Sequence, residues 1–342
     1  DAVMSKQIKT HKICQALMLC SLVFSGAASS ADYQIKVSHS SPAVDDRLEA
    51  SLQVFKKNVE ARTDGAVSIS TFPASQLGGE REQLEGVQFG SIEMAVLAGP
   101  VSSVYPEYVV FDLPYLFKNR EVAYQVLDGD FGQKILDDML PKTGIRALAW
   151  GENGFRHFTN SIHPIAAPGD LNGMKIRTME NPAHMKMVES FNATATPMAF
   201  GEVYSSLQQG VVDGQENPIS LIESMRFYEV QQHLTLDGHV YNPFVFIVNN
   251  RFFERLPTEY QSIIEEEARN WSTTQRELNA EQENKGLKKL KDEGMQVVSL
   301  SDQDKQKFRE QTKPVYDTYR KQLGDDLIDE LMQVVAEAEG NL

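Results

Sequence analysis

Two hydrophobic rhythms alternate along the chain. Gln34-Ile-Lys-Val-Ser38 alternates apolar and polar side chains like a strand with one buried face, whereas Asp45 to Ala61 carries apolar residues at helical spacing. A second strand, Val67 to Thr71, follows the turn at Thr63-Asp-Gly65. Glu80 to Phe89 reads as a helix stopped by Gly90, and Ile92 to Leu97 as an apolar, buried strand. This β-α-β-α-β order predicts a largely parallel sheet with helices on its faces.

The pattern then restarts. Ile145 to Trp150 predicts a strand, and Met174 to Arg177 another, introduced by turns at Pro168-Gly169 and Asn172-Gly173. Helices are expected over Pro182 to Phe191 and over Gly201 to Gln209, before Gly210, and Phe244 to Val248 is a continuous apolar strand. From Thr258 to about Asp292 the pattern is helical and free of proline, long enough to brace two lobes. The expected architecture is therefore α/β with two lobes, mixed sheets flanked by helices, and a long helix spanning both. One lobe covers 31–153 with a return at about 243–285; the other covers 154–242 with the segment from about 286 to 342. Ligands in such folds sit at the carboxyl ends of strands and between lobes, so the residues after Leu97, Trp150 and Arg177 deserve the first look.

The first thirty residues break this rhythm. Lys6, Lys9 and Lys12 precede an apolar run from Ile13 to Phe24, and small residues follow through Ala31, the order of a secretory signal peptide. Asp1-Ala-Val lies upstream of Met4 as an extension. The apolar run is too short for a permanent membrane span. Leu19 before Cys20 suits lipoprotein processing poorly, so cleavage between Ala27 and Ala31 and release into the periplasm are expected. Cys14 and Cys20 are the only cysteines and both lie in this leader, which leaves the mature chain without disulfides or thiol chemistry.

At 342 residues with a formal net charge of −15, the chain has a surface that repels nucleic acid and anionic lipid. An acidic protein that binds an anion must concentrate positive charge locally. Enzyme signatures are missing: no Gly-x-Ser-x-Gly elbow, P-loop, His-Glu-x-x-His or Gly-x-Gly-x-x-Gly appears. The seven histidines are scattered without metal-ligand spacing, so no metal, cofactor or catalytic residue is expected. Three segments do stand out. Glu152-Asn-Gly-Phe-Arg-His157 follows a strand and puts Arg156 at its end, Gly173-Met-Lys-Ile-Arg177 ends a strand in arginine, and Val212-Asp-Gly-Gln-Glu-Asn-Pro218 sets Asn217 among turn residues. The planar fork of arginine can hold a carboxylate by two parallel hydrogen bonds.

These segments, with Phe72-Pro-Ala-Ser-Gln-Leu-Gly78, Asp112-Leu-Pro-Tyr115, Pro197-Met-Ala-Phe-Gly-Glu-Val-Tyr204, Leu207-Gln-Gln-Gly210 and Phe227-Tyr-Glu-Val230, resemble the solute-binding subunits of tripartite ATP-independent periplasmic (TRAP) transporters, the DctP-type family. The resemblance runs from Tyr33 to the last helix. It implies a two-lobed protein that closes on its ligand, is not an enzyme, acts as a monomer and delivers a small organic acid to TRAP membrane subunits. It further implies that Arg177 pairs with the ligand carboxylate, that Arg156 gives a second contact, that Asn217 donates to the same group and that Phe200 walls the ligand. Ser40, Glu80 and Asn181 occupy positions that contact ligands in relatives, and His184 is a further candidate. Sialic-acid binders carry a Glu and, three residues on, an Arg just after the third strand; Ala98 and Val101 stand there, which disfavours sialic acid. Glu80 can accept from a hydroxyl and would repel a second carboxylate, so a sugar acid or hydroxy acid is preferred over a C4-dicarboxylate. The competing readings are a sugar-acid lyase or hydrolase with His184 or Glu80 as base, and a ligand-presenting protein for a sensor.

Overall fold

A computed structural model describes residues 31–342. The expected leader and both cysteines lie outside the described residues. Strand β1 (Tyr33–Ser38) pairs in parallel with β2 (Val67–Phe72) and β3 (Met94–Leu97), and α1 (Arg47–Arg62) and α2 (Glu80–Phe89) form the crossovers. Asp46 starts α1 by accepting from the Leu48 N–H at 2.8 Å, and Gly90 ends α2 in the left-handed region, φ 89°. A 3-10 stretch, Pro106–Asp112, leads into α3 (Arg120–Asp128) and α4 (Asp130–Thr143). Then come β4 (Ile145–Asn160), β5 (Lys175–Thr178), α5 (Pro182–Ser190), β6 (Thr194–Pro197), α6 (Val203–Gln208), β7 (Gly214–Pro218) and α7 (Ile219–Ser224). The chain finishes with β8 (His233–Asn249), α8 (Asn250–Arg255), α9 (Thr258–Asp292), β9 (Gln296–Ser299), α10 (Asp302–Gln311), α11 (Lys313–Leu323) and α12 (Asp325–Gly340).

The strands follow the order β2-β1-β3-β8-β4-β7-β5-β6, with β9 added to β8. Two long antiparallel strands, β4 and β8, carry this path through both lobes. Their outer stretches, Ile145–Gly151 and Phe244–Asn249, complete the sheet of β1, β2 and β3; their other stretches pair with β7 and β9. The register shifts between Glu152 and Gly154, opposite Pro243 and Asn242. Gly154 has φ +125°, and a Cβ there would stand 2.6 Å from a Glu283 carboxylate oxygen.

The long helix α9 packs along this ribbon. Its first half lies on α1, with Trp271 donating to Ser51 Oγ at 2.9 Å and resting on Phe246 at 4.9 Å; its second half meets α7, where Lys289 pairs with Glu223 at 2.6 Å. A Cβ on Gly151 would come within 2.6 Å of the Trp271 ring, so glycine is what lets the helix lie this close to β4.

The sheet is mixed, as the expected architecture has it; the parallel order read from β1, β2 and β3 ends where β8 inserts antiparallel between β3 and β4. Two expectations change with it. The strand predicted at Ile145 to Trp150 continues to Asn160, which puts Arg156 inside a strand, not at its carboxyl end. The turn-rich Val212–Pro218 segment contains a buried strand, Gly214–Pro218, beside β4 and β5. Short polar segments lack the apolar alternation that marks a strand, and here neighbouring strands on both sides impose it.

Candidate functional site

The cleft between the lobes lies at the carboxyl ends of β1, β3 and β5 and narrows to a cavity of about 30 Å³. Ser40 and Glu80 line it from one lobe; Arg177, Phe200 and Asn217 line it from the other. Five of the eight residues singled out in the sequence are thus brought together around one space.

Arg177 is the penultimate residue of β5, between β6 and β7, and is 1% exposed. Its Nε and Nη2 both donate to the Met198 carbonyl, at 3.1 and 2.7 Å, which fixes the guanidinium plane. The third nitrogen, Nη1, is buried and has no partner among the described residues. Phe200 lies beneath the guanidinium, 5.9 Å from ring centre to Cζ. Burial, and then the charge of Arg156, push the group down to about 10, while Glu216 and Glu80 act the other way, so it remains a cation at neutral pH.

Arg156 is fully buried and grips Glu216 in a two-point ion pair, Nε to Oε2 at 2.6 Å and Nη2 to Oε1 at 2.7 Å, with a further bond to the Glu216 carbonyl at 2.5 Å. Its Nη1 is also buried without a partner. Burial alone would raise the Glu216 carboxyl, but Arg156, His184 and His239 hold it well below the usual carboxylate range. His239 lies 2.9 Å from both Glu216 and Asp237, and against the effect of burial these carboxylates raise it to about 9. Asn217 Nδ2 donates to Gln215 at 2.5 Å, leaving its second N–H and its carbonyl oxygen for other partners.

Across the cleft, Glu80 stands at the first turn of α2 and accepts from the Ala98 N–H at 3.0 Å. Burial pushes its carboxyl up; the Ala98 N–H and the two arginines oppose the rise, and Glu180 adds to it. Ser40 Oγ accepts from Gln83 at 3.0 Å.

Arg156, whose guanidinium is taken up by Glu216, does not line the cavity, and neither do Asn181 and His184. Asn181 caps α5, accepting from the Ala183 N–H at 2.9 Å, and donates to Asp112 at 2.7 Å. His184 is wholly buried between Asp112 at 3.4 Å and Glu216 at 3.6 Å. Burial opposes its charged form, yet these two carboxylates raise its pKa. In the β5–α5 link it is Glu180, not Asn181, that lines the cavity. Sequence reasoning missed Glu180, Asn153 and Ser41 in the lining, and Glu216 and His239 behind it. Glu216 sits inside the quoted Gln-Glu-Asn-Pro segment and could have been found there; His239 has no local signal. Among the described residues, no cluster of three His, Cys, Asp or Glu could hold a metal ion, and no helix is long and apolar enough to cross a membrane.

The model of the bacterial extracellular solute-binding proteins of family 7, DctP, matches residues 37–322. The chain belongs to this family. A solute-binding protein of Verminephrobacter eiseniae is 41% identical over 306 residues, 89% of this chain and 90% of that protein. The 2,3-diketo-L-gulonate-binding periplasmic protein YiaO of Escherichia coli is 32% identical over 302 residues, 88% of this chain and 91% of that one. Among solved structures, a TRAP periplasmic solute-binding protein from Polaromonas sp. JS666 bound to D-erythronate superposes with a TM-score of 0.84 at 40% identity, covering 88% of this chain and 98% of its own. A family member from Sulfurospirillum deleyianum with bound succinate gives 0.84 at 31% identity, covering 89% and 99%. These neighbours are two-lobed, as this chain is, and the family as a whole captures small organic acids for TRAP membrane subunits.

Proposed function

We propose that this chain is a periplasmic binding protein that captures a small organic-acid carboxylate between its lobes and delivers it unchanged to TRAP membrane subunits, acting as a monomer. The observation that carries this is Arg177: a buried guanidinium on the cavity lining, locked by Met198, with one donor nitrogen unmatched among the described residues. Burying a charge in this way is costly unless an opposite charge meets it, and a carboxylate closing the cleft meets it with hydrogen bonds as well. The Asn217 amide and Phe200 line the same space, and Arg156, whose Nη1 has no partner among the described residues, lies near enough for its charge to act on Arg177. Ser40 and Glu80 offer polar groups to the rest of the ligand from the opposite lobe. The ribbon of β4 and β8 is the hinge on which the lobes move, with the division near residues 153 and 243.

A lyase would need a general base at the ligand; of the two candidates His184 lies behind the lining between two carboxylates, and Glu80 lines the cavity with one oxygen accepting from the Ala98 N–H. The family membership and the likeness to ligand-bound binding proteins support capture without turnover. A thermal-shift screen of the mature chain over organic acids tests the reading. An acid present at about a hundred times its dissociation constant adds about 2.7 kcal/mol of stability, and the acid should be recovered chemically intact. No stabilisation by any organic acid, or conversion of the acid to a product, would overturn it.

A further inference from the structure

Arg47 opens α1, is 2% exposed and does not line the cavity, yet it holds two residues that do. Its Nη1 donates to Ser41 Oγ at 3.2 Å and its Nη2 to Asn153 Oδ1 at 2.8 Å, and Ser41 and Asn153 both belong to the lining. Its Nε donates to Asn279 Oδ1 at 2.9 Å, the Asp46 carboxylate lies 3.1 Å from Nη1, and the guanidinium rests over the Phe244 ring at 5.5 Å. A guanidinium only donates, so each of these bonds fixes which atom of the partner accepts. Asn153 accepts with its carbonyl oxygen and donates from its amide to Asn242 Oδ1 at 2.8 Å; Asn242 in turn donates to Asp112 Oδ1 at 2.6 Å. The chain starts on a group that only donates and ends on a carboxylate, so its direction is set at both ends. Gln83 gives Ser40 the same polarity: its Nε2 donates to the Gly78 carbonyl at 2.8 Å and to Ser40 Oγ at 3.0 Å.

Resting on the reading of Arg177 as carboxylate anchor, we propose that Arg47 is a positioning residue for the ligand: through Ser41 and Asn153 it makes the wall beside the ligand's carbon chain an array of hydrogen-bond donors. Ser41 Oγ already accepts from Arg47, so its own O–H is the group left for the cavity. One Asn153 N–H goes to Asn242, and the second remains. With the Ser40 hydroxyl these make three donors, suited to the hydroxyl or carbonyl oxygens along an organic acid. Glu80, which only accepts when ionised, complements them by receiving hydroxyl hydrogens. Arginine suits this task where lysine would not. Its planar fork meets Ser41, Asn153 and Asn279 from three nitrogens at once, and the Asp46 carboxylate balances its charge. Without the fork the Ser41 hydroxyl turns freely and the Asn153 amide can exchange its two ends. The wall then has no fixed polarity before the ligand arrives, and ordering it weakens binding.

Titration calorimetry on the mature chain tests this, with D-erythronate and D-gluconate as probes and the matching neutral polyols as controls. Thermal melts without ligand establish that each variant is folded. Arg47→Lys should weaken the tighter-bound acid about tenfold, the scale of two neutral hydrogen bonds. The same change made in a Ser41→Ala, Asn153→Ala background should cost less than about twofold more, because the groups through which Arg47 acts are gone. Asn153→Asp carries the test if Arg47→Lys does not fold. It keeps an acceptor for Arg47, has no N–H to give the ligand, and should weaken the acid by a similar factor. Affinity within about twofold of the parent in either variant, or the full loss repeated in the Ser41→Ala, Asn153→Ala background, would overturn the proposal and leave the Arg177 anchor standing. Failure of both acids to bind the parent would also overturn it. A neutral polyol bound by the parent as tightly as its acid would instead overturn the anchor, and the proposal with it.

Discussion

Replacing Arg177 with lysine keeps the positive charge and removes the fork. In the native side chain two nitrogens donate to the Met198 carbonyl, at 3.1 and 2.7 Å, and the third is free to meet the ligand. A single ammonium on a flexible stem cannot hold Met198 and a carboxylate in that fixed geometry. Two losses follow. The Met198 carbonyl is left under-satisfied, a cost to folding of about 1–3 kcal/mol. The bound carboxylate is left half-paired in a dry cleft, a cost to binding of roughly 3–5 kcal/mol, or about a hundred- to several-thousand-fold in affinity. Thermal denaturation without ligand measures the first and titration calorimetry on the folded variant the second. The corresponding Arg156→Lys change should cost less affinity and more stability, because Arg156 is committed to Glu216 by two side-chain bonds. If Arg177→Lys is well folded and binds within about threefold of the parent, under about 1 kcal/mol, the carboxylate does not sit on Arg177 and the reasoning fails.

Three further outcomes are expected. Asn181→Ala should lower stability by about 1–2 kcal/mol through loss of the α5 cap and leave affinity nearly unchanged; a stable variant with tenfold weaker binding would make Asn181 a ligand contact after all. His239, raised to about 9 between Asp237 and Glu216, stabilises the fold fully below its unfolded value near 6.5, and that contribution is lost as pH rises through 9. Urea melts at pH 6 and pH 10 should therefore differ by up to about 3 kcal/mol more in the parent than in His239→Gln, and equal differences would refute the assignment. Gly151→Ala should destabilise by about 1–3 kcal/mol, because its Cβ would meet the Trp271 ring at 2.6 Å; an unchanged melting temperature would show that α9 can shift at no cost.

Helices and apolar strands were legible because their periodicity is carried by their own residues. The spans Glu80–Phe89 and Thr258–Asp292 match between sequence and structure, and Asp46 and Gly90 act as the start and stop signals their types suggest. What was not legible depends on residues far apart in sequence. Lengthening of β4 to Asn160 needs β8 beside it, and β7 is a polar stretch made a strand by the neighbours on its two sides. The same holds for the site. Arg177 and Asn217 lie in motifs at strand ends and could be named, and Ser40, Glu80 and Phe200 came from the family likeness. Asn181 misled because a polar residue one position past Glu180 faces the other way at the start of α5, where it caps the helix. His184 misled because its burial between Asp112 and Glu216 follows from packing, not from spacing.

The central claim, a carboxylate held by Arg177 inside the closed cleft, is most directly tested by a crystal structure of the mature chain grown with D-erythronate. The account predicts a carboxylate oxygen about 3 Å from Arg177 Nη1, Phe200 against the carbon chain, and the hydroxyl groups toward Ser40 and Glu80. An acid bound in the reverse sense, with its carboxylate away from Arg177, or bound outside the cleft, would contradict it.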